Sequence, residues 1–348
     1  MIDLLNLNKN ALRDFVTSLG TPAYRAAQIE RWVYRELVTD FAAMTDLPAD
    51  VRARLATCAY IGAPRVLAEQ ASVDGLTCKA LFQLSDQETI EAVLMLYPDT
   101  ARRTVCISLQ VGCPIGCPFC ATGQAGYVRN LTAGEIVAQV LHFARALKPA
   151  SLTNIVLMGM GEPLLNPSLW QALESLTDPT RCGIGARRIT LSTVGVVPGI
   201  ERLAREHPQI NLAISLHAPD DALRDVLVPL NRKYPLSEVM RAARAYVAQT
   251  RRRITFEYAL MDGINDTPEH ARALVHLLRG LLCHINLIPL NPTRASPYRR
   301  SAEARVRAFE RILRAARIPT TLRVERGIEI AAGCGQLRQI DNTKWRHK

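Results

Sequence analysis

The sequence predicts an α/β fold, a partial (β/α)6 barrel of the TIM type behind a small N-terminal helical domain, and three observations predict it. After Arg102, apolar runs suited to strands at 104–109 and about 153–158, 187–192, 210–216, 254–260 and 284–289 alternate with helix-patterned segments at about 132–147, 167–177, 197–206, 235–250 and 267–282. Alternation of this kind gives parallel strands with covering helices. Six units are too few for a closed eight-unit barrel and suit an open, curved one. Next, the first of these strands runs straight into Gly112-Cys113-Pro114-Ile115-Gly116-Cys117-Pro118-Phe119-Cys120. Finally, the later strands end in polar or glycine-rich turns, where parallel α/β sheets bind their ligands.

Length and composition limit the function classes. With 348 residues, 48% of them apolar, the chain can bury a large α/β domain plus a small extra one. We divide it into a helical accessory domain at 1–75, a linking β-hairpin at 76–98 and a core at 99–348. The nine cysteines, at 58, 78, 106, 113, 117, 120, 182, 283 and 334, do not form the even framework of a secreted disulfide scaffold, so the thiols read as reduced. The N-terminus lacks a basic region followed by an apolar run, and no window reaches the ~18 apolar residues of a membrane span. The expectation is a cytoplasmic protein with no membrane partner. A net charge of +11 points to a polyanion, with nucleic acid as the leading candidate.

The first 65 residues carry helical patterning, with Pro22 near a helix start and Tyr24, Ile29, Trp32 and Val33 as an apolar stripe. Arg25, Arg31 and Arg35 lie between them and read either as a solvated face or as a phosphate-contacting one. Two strand patterns follow, Lys79–Leu84 and Thr89–Leu96, around the polar turn Ser85-Asp86-Gln87-Glu88. Glu91, inside the second, reads on pattern alone as a surface carboxylate.

The loop after the first barrel strand places Cys113, Cys117 and Cys120 within eight residues. Interleaved Gly and Pro keep it from becoming a helix, so three sulfurs can converge on an iron-sulfur cluster or zinc. Three thiolates on a four-iron cluster leave one iron open to a substrate, whereas a structural zinc site takes four ligands and would draw on Cys106 or His142. Buried core thiols are the remaining reading, and two prolines with two glycines make a poor core element.

Further on, Met158-Gly159-Met160-Gly161-Glu162-Pro163 gives a tight turn with one carboxylate suited to an amino group. Ser192-Thr193-Val194-Gly195 and Ser215-Leu216-His217 bring hydroxyls and an imidazole to strand ends, and Asn291 brings an amide suited to a nucleoside. Together these strand ends imply a nucleoside-sized ligand bearing an amino acid. Cys334, between Gly333 and Gly335, reads as a nucleophile or redox partner on a flexible loop. Between 294 and 326 there are ten arginines against three glutamates, many on a helix near 301–316 with Val306, Phe309 and Leu313 inward. So one-sided a charge favours an RNA-facing surface over a merely solvated one.

These motifs together resemble those of the radical S-adenosylmethionine (SAM) enzymes, and more closely the adenosine methyltransferase branch containing RlmN and Cfr, nearer the RlmN type. The Cys-x3-Cys-x2-Cys loop with Phe119, Gly159–Pro163, Ser215–His217 and Ala332–Leu337 carry the resemblance, which spans nearly the whole chain. It implies a barrel of the radical SAM class. Cys113, Cys117 and Cys120 would hold a [4Fe-4S] cluster, and Gly161, Glu162, Ser192, Ser215, Leu216, His217 and Asn291 would line the SAM site. Cys334 would be the transiently methylated cysteine, Cys106 its resolving partner and Glu91 a proton acceptor. The chain departs from the family pattern at Leu109 and Val194, where serine is usual, and at Leu290, where tryptophan is usual.

The resemblance implies methylation of an adenine ring carbon, carbon 2 favoured over carbon 8, in 23S ribosomal RNA at the peptidyl-transferase centre and in tRNA next to the anticodon. Two SAM molecules would serve each turnover, one to methylate Cys334 by displacement and one to generate a radical that takes a hydrogen from that methyl. Cys106 would free the product by forming a disulfide with Cys334. A flavodoxin or ferredoxin would donate electrons, and the enzyme would act as a monomer. The alternative from another class is a zinc-bearing, non-catalytic RNA-binding protein.

Overall fold

The computed structural model describes residues 1–291, 293, 296–323 and 326–338. Arg294 and Glu325, two of the charges counted in the basic stretch, lie outside the described residues, as does Pro292.

The N-terminal segment folds as expected into short helices, α1 (Lys9–Ser18), α2 (Arg25–Arg31) and α3 (Ala49–Cys58). Asn8 caps α1 through its Oδ1, which accepts from the Ala11 N–H at 2.9 Å. Leu12, Val16, Ile29, Val33 and Leu55 are buried, but Tyr24 is 61% exposed and leaves the expected stripe. It directly precedes α2 with helical dihedrals, and five residues before Ile29 it lies about 140° around the helix from that buried side chain. The arginines of this segment are engaged by their own chain. Arg31 pairs with Asp46 at 2.7 Å, Arg25 donates to Gln28 and to the Asp46 carbonyl, and Arg35 donates to the Pro179 carbonyl. A buried pair, Arg181 with Glu30 at 2.7 Å, joins this segment to the body of the protein.

The body is built on one ten-stranded sheet: β1 (Arg65–Ala71), β2 (Thr77–Gln83), β3 (Thr89–Tyr97), β4 (Arg102–Cys106), β5 (Asn154–Leu157), β6 (Ile189–Thr193), β7 (Asn211–Ser215), β8 (Ile254–Leu260), β9 (Cys283–Pro289) and β10 (Thr320–Leu322). Spatial order follows chain order throughout. From β4 to β10 all pairs are parallel, and β1 to β4 are joined by antiparallel pairs. The crossovers carry α4 (Ala133–Ala146), α5 (Leu169–Thr177), α6 (Val197–Glu206), α7 (Leu236–Thr250), α8 (Pro268–Leu278) and α9 (Glu303–Ala315). The six expected barrel strands are all present. The seventh, β10, has only three residues, too few to show a pattern in sequence.

The hairpin β2–β3 falls where the sequence placed it, and it continues the main sheet through β3 and β4. This placement overturns the surface reading of Glu91. With β2 on one side and β4 on the other, β3 is buried from Thr89 to Met95, and Glu91 is 1% exposed. Alternation marks a half-exposed strand only, and an interior strand need not show it.

On α9, Val306, Phe309 and Leu313 are buried as expected. Its outward arginines are largely neutralised: Arg305 pairs with Asp266 at 3.0 Å, and Arg307 and Arg314 both pair with Glu310. Among the described residues, no helix is long and apolar enough to cross a membrane.

Candidate active site

The cysteine loop leaves the sheet after β4 and is closed off by a small ribbon in which Gln110–Gly112 pairs antiparallel with Tyr127–Asn130. Gly112 sits at φ +72°, and a Cβ there would lie 2.0 Å from the Gly126 carbonyl oxygen, which accepts from the Cys113 N–H at 2.7 Å. No other residue fits that position. Cys113, Cys117 and Cys120 all line one cavity at the C-terminal ends of the parallel strands, together with Ile115 and Phe119.

Burial pushes the Cys113 thiol up to about 12 and raises Cys117 well above its ordinary range. The Cys113 and Cys117 thiolates would form there only against a compensating cation. Among the described residues, no three His, Cys, Asp or Glu side chains are disposed to hold a single metal ion. His142 is occupied elsewhere, with Nε2 2.8 Å from Glu69 and its ring edge-on to Phe82 at 4.9 Å. Cys106 faces a different cavity. The loop therefore fits a multi-iron cluster held by three thiolates, and the fourth ligand needed for zinc is not supplied by either expected residue.

Gly161, Glu162, Ser192, Ser215, His217 and Asn291 line the same cavity as the cluster cysteines. Gly161, at φ +101°, leaves no room for a Cβ, which would meet Gln110 at 2.6 Å. Glu162 is 2% exposed, with one carboxylate oxygen accepting from the Leu164 N–H and the other from the Val194 N–H at 2.8 Å. Burial nevertheless lifts it to about 7, and an ammonium group beside it would restore its charge. The Ser192 and Ser215 hydroxyls lie 3.3 Å apart. His217 accepts the Ala259 N–H at Nδ1, which assigns its proton to Nε2, and burial lowers it to about 3, so it is a neutral donor.

Asn291 donates from Nδ2 to the Cys334 carbonyl at 3.0 Å, leaving its buried Oδ1 without a partner among the described residues. That orphan acceptor, the carboxylate and the hydroxyls fit a ligand with both nucleoside and amino-acid groups. Leu216, expected beside them, does not line the cavity: its side chain is fully buried in the core, and its backbone accepts from Arg224 and donates to the Glu257 carbonyl.

Cys106, at the end of β4, and Cys334 both line a second cavity, which shares Cys120, Met158, Gly159, Asn291 and Arg323 with the first. Burial and the charge of Cys334 push Cys106 up to about 12, and Arg323 pulls it down. The Cys334 loop is tied rather than free. Ala121 N–H donates to the Gly335 carbonyl at 2.8 Å, Gly333 N–H donates to Gln336 Oε1 at 2.9 Å, and Arg338 N–H donates to Glu91 at 2.9 Å. The flanking glycines allow close approach at Gly333 and a φ of +79° at Gly335. Glu91 lines neither cavity; it lies behind the loop, paired with Lys79.

Four positions at or behind the site escaped the sequence reading. Arg323, at the end of β10, borders both cavities, and its cation is reinforced by Cys334, Glu257, Tyr97 and Cys106. Glu257, on β8, is buried and hydrogen-bonded to Asn286 at 2.8 Å; a carboxylate inside Phe256-Glu257-Tyr258 was the available signal. Arg224, fully buried, donates to the carbonyls of Val194, Ser215 and Leu216 and so ties the ends of β6 and β7. Lys79 is the fourth, and nothing in the pattern of its strand marked it.

The radical SAM superfamily profile matches residues 107–278, and that of the ribosomal RNA large subunit methyltransferase N-terminal domain matches residues 2–61. The chain is 50% identical to a probable dual-specificity RNA methyltransferase RlmN of Chloroflexus aurantiacus, over 96% of this chain and 92% of that protein. It is 48% identical to the corresponding protein of Moorella thermoacetica, over 97% of each. Among solved structures, a radical SAM methyltransferase from Sphaerobacter thermophilus superposes with a TM-score of 0.94 at 52% identity, covering 97% of this chain and 99% of that one.

Proposed function

The chain belongs to the radical SAM superfamily and, within it, to the RlmN family of RNA methyltransferases, and on that premise we propose that it methylates carbon 2 of an adenine in 23S ribosomal RNA and in tRNA. Bound at this site, a [4Fe-4S] cluster and SAM supply a one-electron cleavage of the sulfonium and a methyl group, which an unactivated ring carbon requires. Cys113, Cys117 and Cys120 hold the cluster. Glu162, Ser192, Ser215, His217 and Asn291, with the backbone at Gly161, hold SAM, and Leu216 anchors the strand end that presents Ser215 and His217.

The observation that carries the reading is the pair of thiols outside the cluster loop, Cys106 and Cys334, facing one cavity that adjoins the cluster cavity. Cys334 carries the methyl carbon to the base. Cys106 then attacks the Cys334 sulfur, forming a disulfide as the bond from that sulfur to the nucleotide breaks. A disulfide needs Cα atoms about 4.4–6.8 Å apart, so the Cys334 loop must approach the end of β4 to that distance during the cycle. The same reading includes two SAM molecules per product, an external donor of the flavodoxin or ferredoxin type, and action as a cytoplasmic monomer.

The test is an asymmetry between two variants under reducing, anaerobic conditions. Cys106→Ala accumulates a covalent protein-RNA adduct, whereas Cys334→Ala forms none. Normal turnover by Cys106→Ala overturns the assignment of the resolving thiol. Mass analysis of methyladenosine from the wild-type reaction identifies the ring carbon, and carbon 8 as the product overturns the preference stated here.

A further inference from the structure

The cavity holding Cys106 and Cys334 has a cationic rim that the reaction chemistry leaves unused. Tyr97, at the end of β3, and Arg326 both line it, and Arg102 faces Tyr97 directly across the β3–β4 pair. The Arg102 guanidinium lies 3.9 Å from the centre of the Tyr97 ring and that of Arg326 lies 4.6 Å from it. Arg326 also donates to the Leu96 carbonyl at 3.4 Å. Arg102 is exposed, while Cys106, four residues along the same strand, is buried, so the strand runs from solvent into the cavity.

Several surface arginines of this chain are paired with carboxylates, as Arg31, Arg305, Arg307 and Arg314 illustrate. Among the described residues, neither Arg102 nor Arg326 forms an ion pair. Asp74 lies within electrostatic reach of Arg326 but spends its carboxylate on Ser72 and Leu76. A guanidinium stacked on a ring is held in one plane, which lowers the entropy lost when its outward N–H groups bind an anion. Arg323, deeper in the cavity, adds a third positive charge on the same path.

Resting on the reading that the substrate is RNA, we propose that Arg102 and Arg326, ordered by Tyr97, grip the phosphodiester backbone beside the target nucleotide. A base buried in an RNA stack cannot reach the thiols, so it must be turned out into the cavity, and its flanking phosphates then lie at the mouth. Phosphate contacts there set the register without reading sequence. The stack also accounts for why two arginines should share one tyrosine at the entrance to a cavity containing reactive sulfur.

The experiment measures binding of the cluster-loaded protein to a labelled, protein-free 23S ribosomal RNA transcript, between about 50 and about 200 mM salt. Arg102→Gln and Arg326→Gln each weaken binding about fivefold or more, and each reduces the steepness of the log-log salt dependence by roughly one phosphate contact. Arg102→Lys keeps the charge, and with it the salt slope, while losing part of the affinity. Tyr97→Leu weakens binding with both arginines in place. Arg202→Gln, on α6 and paired with Glu206, is the control and changes neither quantity. If wild-type protein binds the transcript and both glutamine variants match its affinity and slope while folding normally, the stack is structural and the proposal falls. If wild-type protein fails to bind RNA at all, the RNA reading itself falls with it.

Discussion

Lys79 Nζ lies 2.9 Å from Glu91 Oε1 in a pair that is almost fully buried, with side-chain exposures of 9% and 1%. Each partner also holds the segment that carries Cys334. Lys79 donates to the Ala331 carbonyl at 3.4 Å, and the second oxygen of Glu91 accepts from the Arg338 N–H at 2.9 Å. The ion pair therefore clamps the loop on both sides of the thiol, from strands β2 and β3. A proton acceptor at Glu91 would have to act across that clamp, since Glu91 faces neither cavity.

Removing one partner of this pair strands the other charge in the interior. Glu91→Ala and Lys79→Ala are each expected to destabilise the protein by about 3–5 kcal/mol, and the double variant Lys79→Met with Glu91→Leu by much less. Urea unfolding reads the stabilities, and limited proteolysis around 331–338 reads the release of the loop. A loss in the double variant equal to the sum of the two single losses would show that the two side chains do not act as a pair.

Cys117 is the most deeply set of the three loop thiols, 7% exposed and within electrostatic reach of the buried Arg224. Cys117→Ala leaves two thiolates, so anaerobic reconstitution should yield little iron, no broad visible absorbance and no SAM cleavage. Full iron content with retained cleavage in that variant contradicts a cluster held by this loop.

The sequence revealed the parallel half of the fold because its strands are continuous apolar runs and its helices carry a clear stripe. It revealed the site because Cys, Gly and Pro at fixed spacing in Cys113–Cys120 have few structural uses. Glu91 and Lys79 were not legible: each lies on an interior strand, and only the pairing of β2 with β3 and β4 shows that their charges face one another away from water. Arg323 follows a three-residue strand that shows no period of its own. The arginines at 25, 31 and 35 were legible as a charge run, but the long-range partners Asp46 and Pro179 that occupy them were not.

Glu162 gives the cavity a pH signature. Burial raises its carboxyl from 4.5 to about 7, so between those values the folded chain holds a proton that the unfolded chain has lost. Its contribution to stability is present below 4.5 and is lost as pH rises through about 7, amounting to up to about 3 kcal/mol. In cluster-free protein, denaturant unfolding should show this decline, and Glu162→Gln should remove it. An identical pH profile in the variant would mean that the carboxyl is ionised in the folded state well below neutrality.

Gly333 is the position where geometry and reaction can be separated. A Cβ added there would lie 2.7 Å from Asn291 Nδ2 and 2.7 Å from Gln336 Oε1, the two groups that hold the loop's backbone. Neither is the free end of a long side chain, because Asn291 is fixed by its bond to the Cys334 carbonyl and Gln336 by its bond to the Gly333 N–H. Gly333→Ala must therefore move the loop outward, taking the Cys334 sulfur from its place beside Cys106. The hydrogen bonds of Glu162, to the Leu164 and Val194 N–H groups, lie outside that loop. We expect SAM cleavage in the absence of RNA to stay within about twofold of wild type, while methyl transfer to RNA falls by about 10²-fold, the scale of loss caused by a misplacement of 1 Å. A global stability change of only about 1 kcal/mol in urea would show that the loss comes from the loop. If cleavage and methyl transfer fall together, Gly333 serves the SAM cavity; if neither falls, the loop adapts and the position of Cys334 does not depend on the Asn291 contact.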